Sequence, residues 1–182
     1  MKSLRIFLLL ALLCVLTPAS FARDPLELPP HLSSAKLQGS GRLTWWGLHI
    51  YDASFYRVGS LSSQEFALDM RYQKSFSGIS IANRSVEEMK RIGVPDVQAN
   101  LWGRELSSFL PNVESGQTLT AIYAPKLGTT FYHDGKQIAQ IPGSDFPKAF
   151  FGIWLDPKTS APKLRAELLG QTCPPPLFNE TC

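Results

Sequence analysis

Thr129-Thr130-Phe131-Tyr132-His133-Asp134-Gly135-Lys136-Gln137-Ile138-Ala139-Gln140-Ile141 holds two β-like runs around a single Asp-Gly pair. Asp-Gly accepts the positive φ angles of a two-residue hairpin turn, so 129–133 and 136–141 are expected to pair antiparallel. Upstream, Leu119–Tyr123 reads as another strand. Further upstream, Glu65–Tyr72 alternates: Phe66, Leu68, Met70 and Tyr72 share one face, and Glu65, Asp69 and Arg71 lie on the other with Ala67. That pattern predicts a half-buried strand. Arg42–Tyr56, rich in aromatic and branched residues, is expected to be one long strand or a bent pair. Gly39-Ser40-Gly41 suggests a bulge or tight turn before it, and Val58-Gly59-Ser60 a turn after it.

Helical patterns fill the rest. Ser85-Val86-Glu87-Glu88 reads as a capping box, opening a helix that runs to about Ile92 and closes on Gly93. A second helix follows Pro95-Asp96, with Val97, Leu101, Leu106 and Phe109 inward and Gly103 as a weak point. Phe146–Leu155 reads as an aromatic-rich helix stopped by Asp156-Pro157. Thr159-Ser160 starts a last helix, with Pro162 in its first turn, Leu164, Leu168 and Leu169 inward, and Gly170 at its end. Strands, two helices, strands, two helices, with hairpins and no βαβ alternation, define an α+β class: an antiparallel sheet with helices on one face.

The chain ends carry different signals. Lys2 and Arg5, the 11-residue apolar run Ile6–Leu16, Pro18 and Ser20-Phe21-Ala22 make residues 1–22 a secretory signal peptide. The run is too short for a bilayer, which needs about 20 apolar residues. Cys14 follows Leu13, a poor lipobox. Residues 23–35 are a Pro-rich lead-in, 36–170 the folded domain and 171–182 a tail. The mature protein is expected in the periplasm or outside the cell, without stable membrane insertion. Its two cysteines, Cys173 and Cys182, are then expected to close a small disulfide loop, with free or intermolecular thiols as the alternative. Asn83-Arg84-Ser85 and Asn179-Glu180-Thr181 are glycosylation sequons, which matter only in a eukaryotic secretory pathway.

Composition excludes several functions. The formal charge of +3 includes Lys2 and Arg5; without them 16 basic residues face 15 acidic ones. A near-neutral surface with no basic block gives no footprint for nucleic acid. No phosphate loop, dinucleotide fingerprint, His-Glu-x-x-His or Gly-x-Ser-x-Gly elbow is present, so no cofactor is implied. His31, His49 and His133 are scattered and suggest no metal site. What remains is aromatic density around isolated polar groups. Thr44, Trp46, Leu48 and Ile50 are placed on one face of the first strand, and Leu43, Trp45, Gly47, His49 and Tyr51 on the other. A strand that is apolar on both faces fits either a plain core or the wall of a small-molecule pocket.

Gly39–Ala53, Glu87-Glu88-Met89-Lys90-Arg91-Ile92-Gly93, Thr130–Lys136 and above all Phe150-Phe151-Gly152-Ile153-Trp154-Leu155-Asp156-Pro157 resemble bacterial chalcone isomerase-like proteins, over about 36–170. The resemblance implies an open-faced β-sandwich, a large antiparallel sheet under a layer of helices with a ligand cleft between. Its enzymes close a chalcone to a flavanone; other members of the fold bind fatty acids without catalysis. The enzymes use an early Arg, a Thr in a Thr-x-x-Gly strand, a helical Tyr and Asn, and a late Thr or Ser. Thr44-Trp45-Trp46-Gly47 carries over the Thr, making Thr44 the one catalytic candidate. No Tyr or Asn fits in Arg84–Arg91, Arg42 stands too close to Thr44 to be the early Arg, and Thr159 or Ser160 is explained as a helix cap. One Thr cannot supply both a cation for a phenolate and donors for an enolate.

The first expectation is therefore a non-catalytic binder of an apolar small molecule, fatty acyl or phenolic. Arg42, Thr44, Trp46, Arg84, Arg91 and Tyr132 are its candidate ligand-binding residues, the arginines for a carboxylate head. The alternatives are an intramolecular lyase in the same cleft, and a structural partner in an envelope assembly anchored by Trp45, Trp102 and Trp154. Ligand identity and oligomeric state are not legible.

Overall fold

The structure, a computed structural model, describes residues 35–58 and 64–178. Among these, six strands form one antiparallel sheet in sequential order: β1 Ala35–Trp45, β2 Leu48–Val58, β3 Phe66–Tyr72, β4 Thr118–Ala124, β5 Gly128–His133 and β6 Lys136–Ile141. Four helices accompany it: α1 Gly78–Arg91, α2 Asp96–Phe109, α3 Asp145–Leu155 and α4 Pro162–Leu169. The class is α+β, as expected. The signal-peptide and Cys182 readings lie outside the described residues, as does the turn expected after Val58.

Two tight turns set the meander. Asp134-Gly135 forms the expected hairpin, with φ of 46° and 77°. Trp46-Gly47 does the same between β1 and β2, at 50° and 76°. Both φ values are positive, the primed geometry that matches strand twist. Tryptophan is a poor signature for that position, which is why 42–56 also reads as a single long strand. The turn, and a bulge between Leu43 and Thr44, cancel the simple face assignment for 43–51. The irregularity expected near Gly39 is present as a register shift between Leu37 and Gly39.

β3 and β4 are neighbours, Phe66 opposite Tyr123, although the α1–α2 pair separates them in sequence. Phe66, Leu68, Met70 and Tyr72 face the helices and the main core. The opposite face is less exposed than alternation suggests. Ala67 joins a second cluster with Val58, Ile122 and Tyr132, and buried Asp69 accepts a hydrogen bond from Thr120 Oγ1 at 2.8 Å.

Helix starts required correction. α1 begins at Gly78, capped by Ser77, whose side chain accepts from the Ser80 N–H. Ser85 is therefore interior, donating to the Ile81 carbonyl at 2.9 Å, and Glu88 is freed from capping. Ser77 has no acidic residue three positions on, so the stronger-looking motif lay about two turns too late. In α2, Val97 and Leu101 are exposed while Ala99, Gly103 and Leu106 are buried. Gly103 is a packing device: a Cβ there would stand 2.2 Å from Val86 Cγ2, so it lets α1 and α2 approach. The cap of α4 is Ala161. Thr159 sits just ahead, donating to the Ile153 carbonyl at 2.6 Å and accepting from the Ala161 N–H.

α3 lies over the sheet with nearly every residue buried, Phe151 against Phe66 at 4.7 Å and Phe150 against Phe131 at 5.1 Å between ring centroids. α4 lies on β1. A Cβ on Gly39 would fall 2.2 Å from the Glu167 carbonyl oxygen, and Gln38 Nε2 donates to the Leu169 carbonyl. Backbone cannot yield there as a side chain could. Gly39→Ala is therefore expected to lower stability by about 1–3 kcal/mol in urea unfolding. Gly47→Asn, with open space around it, should cost about 1 kcal/mol or less.

Candidate functional site

The sheet and helices fail to meet at one end, leaving a cavity of about 540 Å³. β1 supplies Arg42 to Trp45, β2 Ile50 and Tyr51, and β3 Met70 and Tyr72. α1 closes one side with Ser80, Ile81, Arg84, Ser85 and Glu88. α3 contributes Phe150, Ile153 and Trp154, and the loop into α4 with that helix's first turn contributes Ser160 to Leu164. The walls are mostly apolar with a few polar groups, the composition of small-ligand pockets.

Tyr51, Trp154 and Arg84 are each held by a neighbour. Trp154 Nε1 donates to the Tyr51 hydroxyl at 2.8 Å, both residues being buried. The Tyr51 and Tyr72 rings meet edge to face at 5.6 Å. Burial drives the pKa of the Tyr51 hydroxyl well above the ordinary tyrosine range, and the Glu88 carboxylate pushes the same way, against the Trp154 bond. Burial, reinforced by Tyr51, raises Tyr72 as well. Both are therefore neutral at physiological pH.

Arg84 lies with its guanidinium carbon 4.7 Å from the centre of the Trp45 ring. Its Nη1 donates to Glu87 at 3.1 Å, and its Nη2 is ion-paired with Glu88. Glu88 is only 4% exposed and also faces Arg91 Nε at 3.5 Å. At the rim, Arg42 approaches Asp52 at 3.5 Å, and Asp52 also pairs with His49 at 3.0 Å and accepts from Gln73.

Of the residues expected to bind ligand, Arg42, Thr44 and Arg84 line the cavity, Thr44 at its exposed edge. Trp46, Arg91 and Tyr132 do not. Trp46 occupies the β1–β2 turn and is 89% exposed. Arg91 points along α1 to Glu88. Tyr132 belongs to the cluster on the reverse face of the sheet, because β5 alternates and Phe131 takes the inward position. Trp154, expected as a surface anchor, is buried on Tyr51. Trp102 is half-buried against Phe146, and Trp45 packs under Arg84. His49 and His133 each pair with a neighbouring aspartate, and no metal-binding group of three or more occurs among the described residues.

Sequence reasoning missed Tyr51, Tyr72 and Glu88 as site residues. The tyrosines fall in phase with the core positions of their strands and look like core. The available signal at Glu88 was its place four residues after Arg84 and three before Arg91, on one helix face.

The protein belongs to the chalcone isomerase-like family, whose pattern matches residues 28–170. An uncharacterized protein of Haemophilus influenzae is 27% identical over 143 residues, covering 74% of this chain and 67% of its own length. The crystal structure of an Arabidopsis thaliana fatty-acid binding protein superposes with a TM-score of 0.59 at 12% identity, over 81% of this chain and 92% of that one. At that identity the likeness speaks for the fold, which is the open antiparallel sheet with its helical layer that the resemblance implied.

Tyr51→Phe leaves the Trp154 N–H buried without its acceptor and should cost about 1–3 kcal/mol in chemical unfolding. Tyr132→Phe, whose hydroxyl makes no hydrogen bond among the described residues, is the control and should cost less than about 1 kcal/mol. Alkaline titration checks the raised pKa values. Above the ordinary tyrosine pKa of about 10, the unfolded chain ionises Tyr51 and Tyr72 while the folded one does not. Stability from these two is full below that value and falls as pH rises beyond it. Two of the five tyrosines are expected to show tyrosinate absorbance only as ellipticity is lost.

Proposed function

We propose that this chain is an exported, non-catalytic binder that carries an apolar small molecule, a fatty acyl chain or a phenolic, in the cavity between sheet and helices. The observation that carries this reading is the cavity itself. It is large enough for an acyl chain or two fused rings, its walls are mostly apolar, and its largest polar side chains are paired, Trp154 with Tyr51 and Arg84 with Glu88. Ring closure of the family's kind would need a cation free to meet a phenolate, and Arg84 is already engaged by Glu87 and Glu88. The Arabidopsis protein of the same fold carries the description fatty-acid binding, which supports a carrier rather than a catalyst.

Export belongs to the same proposal and rests on the composition of residues 1–22. An oxidising compartment would then join Cys173 and Cys182 and close the tail, leaving the core untouched.

Native mass spectrometry of protein purified gently from an envelope fraction is expected to show a discrete added mass that organic extraction removes. Ile81→Trp fills the cavity from α1, where Ile81 is only half-buried, so the fold should survive while the added mass disappears. Thr44→Ala, at the exposed edge, should leave the added mass in place. An empty protein that ignores added fatty acids and phenolics overturns the reading.

A further inference from the structure

We propose that the β1–β2 turn docks the protein on a lipid bilayer, with Trp46 and its neighbours set among the headgroups beside the mouth of the cavity. The inference goes beyond the binding reading above, and its test needs no ligand.

Trp46 suits neither the backbone nor the water around it. Its φ is 50°, in the left-handed region that a bulky L-residue enters at a cost, and it is 89% exposed. Asn before Gly47 would relieve both, being the favoured pair for this turn. A strained position that also holds an exposed apolar ring points to a surface that the ring meets. Trp46 has company: Trp45 is 49% exposed and Leu48 56%. The turn is a protrusion rather than a groove, with no heavy atom within 4 Å of where a Cβ on Gly47 would stand.

Size decides the partner. The exposed parts of these three side chains offer on the order of 400 Å², against roughly 800 Å² from each side of a stable protein interface. That is too little for a second copy of the chain and enough for a wedge in a headgroup layer, where indole rings settle between apolar and wet zones. The surrounding charges admit lipid. Exposed Arg42, Arg84 and Lys163 line the mouth of the cavity. Lys74, also exposed, follows Gln73, whose N–H is bonded to the Ile50 carbonyl. Asp52, Glu87 and Glu167 stand beside three of them, leaving four cations against three carboxylates. Trp45 joins the turn to the cavity, since it lines the wall under Arg84. Docking by the turn therefore sets the mouth against the bilayer, where apolar molecules are held.

Flotation with large vesicles of phosphatidylcholine, with and without phosphatidylglycerol, measures the contact. The protein is expected to bind both, about fivefold tighter to the anionic vesicles for its one surplus charge. Trp46→Asn should weaken vesicle binding at least about tenfold while leaving chemical unfolding unchanged or shifted to higher denaturant. Leu48→Ser should weaken it as well. Leu127→Ser, half-exposed at the β4–β5 turn on the opposite end of the sheet, should leave flotation as it was. Ile81→Trp, which fills the cavity, should do the same. No flotation, flotation unchanged by Trp46→Asn, or flotation lost with Leu127→Ser overturns the inference. So does a dimer in sedimentation that Trp46→Asn disperses, which would give the turn to a second copy. Loss of flotation in Ile81→Trp assigns the lipid contact to the cavity, overturning docking by the turn and leaving the binding reading intact. An empty cavity with flotation that depends on Trp46 overturns the binding reading alone and supports this one.

Discussion

A helix that is apolar on every side must be covered on every side. Nine of the eleven residues of α3 are buried, among them Phe146, Phe150, Phe151 and Trp154. The sheet covers it from below through Phe66 and Phe131, α1 lies along its flank, and α4 turns back from its end. The rest of the architecture follows. The α1–α2 pair must cross between β3 and β4 to reach the flank. α4 must close onto β1, which it does only because Gly39 and Gly41 present no side chain to it. The cavity is the space these obligations leave unfilled, between β1, β2 and β3 on one side and α1 and α3 on the other.

That origin explains the polarity of the cavity. Its apolar walls are the outer edges of the core, continuous with Met70, Phe131 and Phe150. Its polar groups come from positions that would otherwise be core or helix surface. Trp154 places its N–H on the Tyr51 hydroxyl oxygen across the gap between β2 and α3, so the indole needs no water. Arg84 and Glu88 sit one turn apart on α1 and pair with each other. The pairing is what allows ionised groups beside an apolar space, since a lone buried charge would be too costly.

Much of the scaffold was legible from local pattern. Asp134-Gly135 specified its hairpin because only residues tolerant of positive φ fit such a turn. The 145–155 run declared its burial through composition, and Pro157, Pro162 and Gly170 punctuated the last two helices correctly. The errors arose where one signal had two physical meanings. Ser85-x-x-Glu88 has the spacing of a cap and equally of one buried helix face. Trp46-Gly47 folds as a turn although tryptophan is not a turn residue. Gly103 looks like a weakness in isolation and is a contact point against Val86.

By itself, the sequence determined the class of the fold, the order of its elements and the apolar faces that drive them together, because turn chemistry and periodicity act over a few residues. It also contained the motifs that place the chain in its family. Tertiary structure alone decided which side chains share the cavity. Tyr51, Glu88 and Trp154 come from two helices and a strand, up to 103 positions apart, and meet only once the sheet is paired and α3 is laid on it. No local pattern distinguishes the inward tyrosine that fills a core from the one that borders an empty space. That difference depends on where the opposing helix ends.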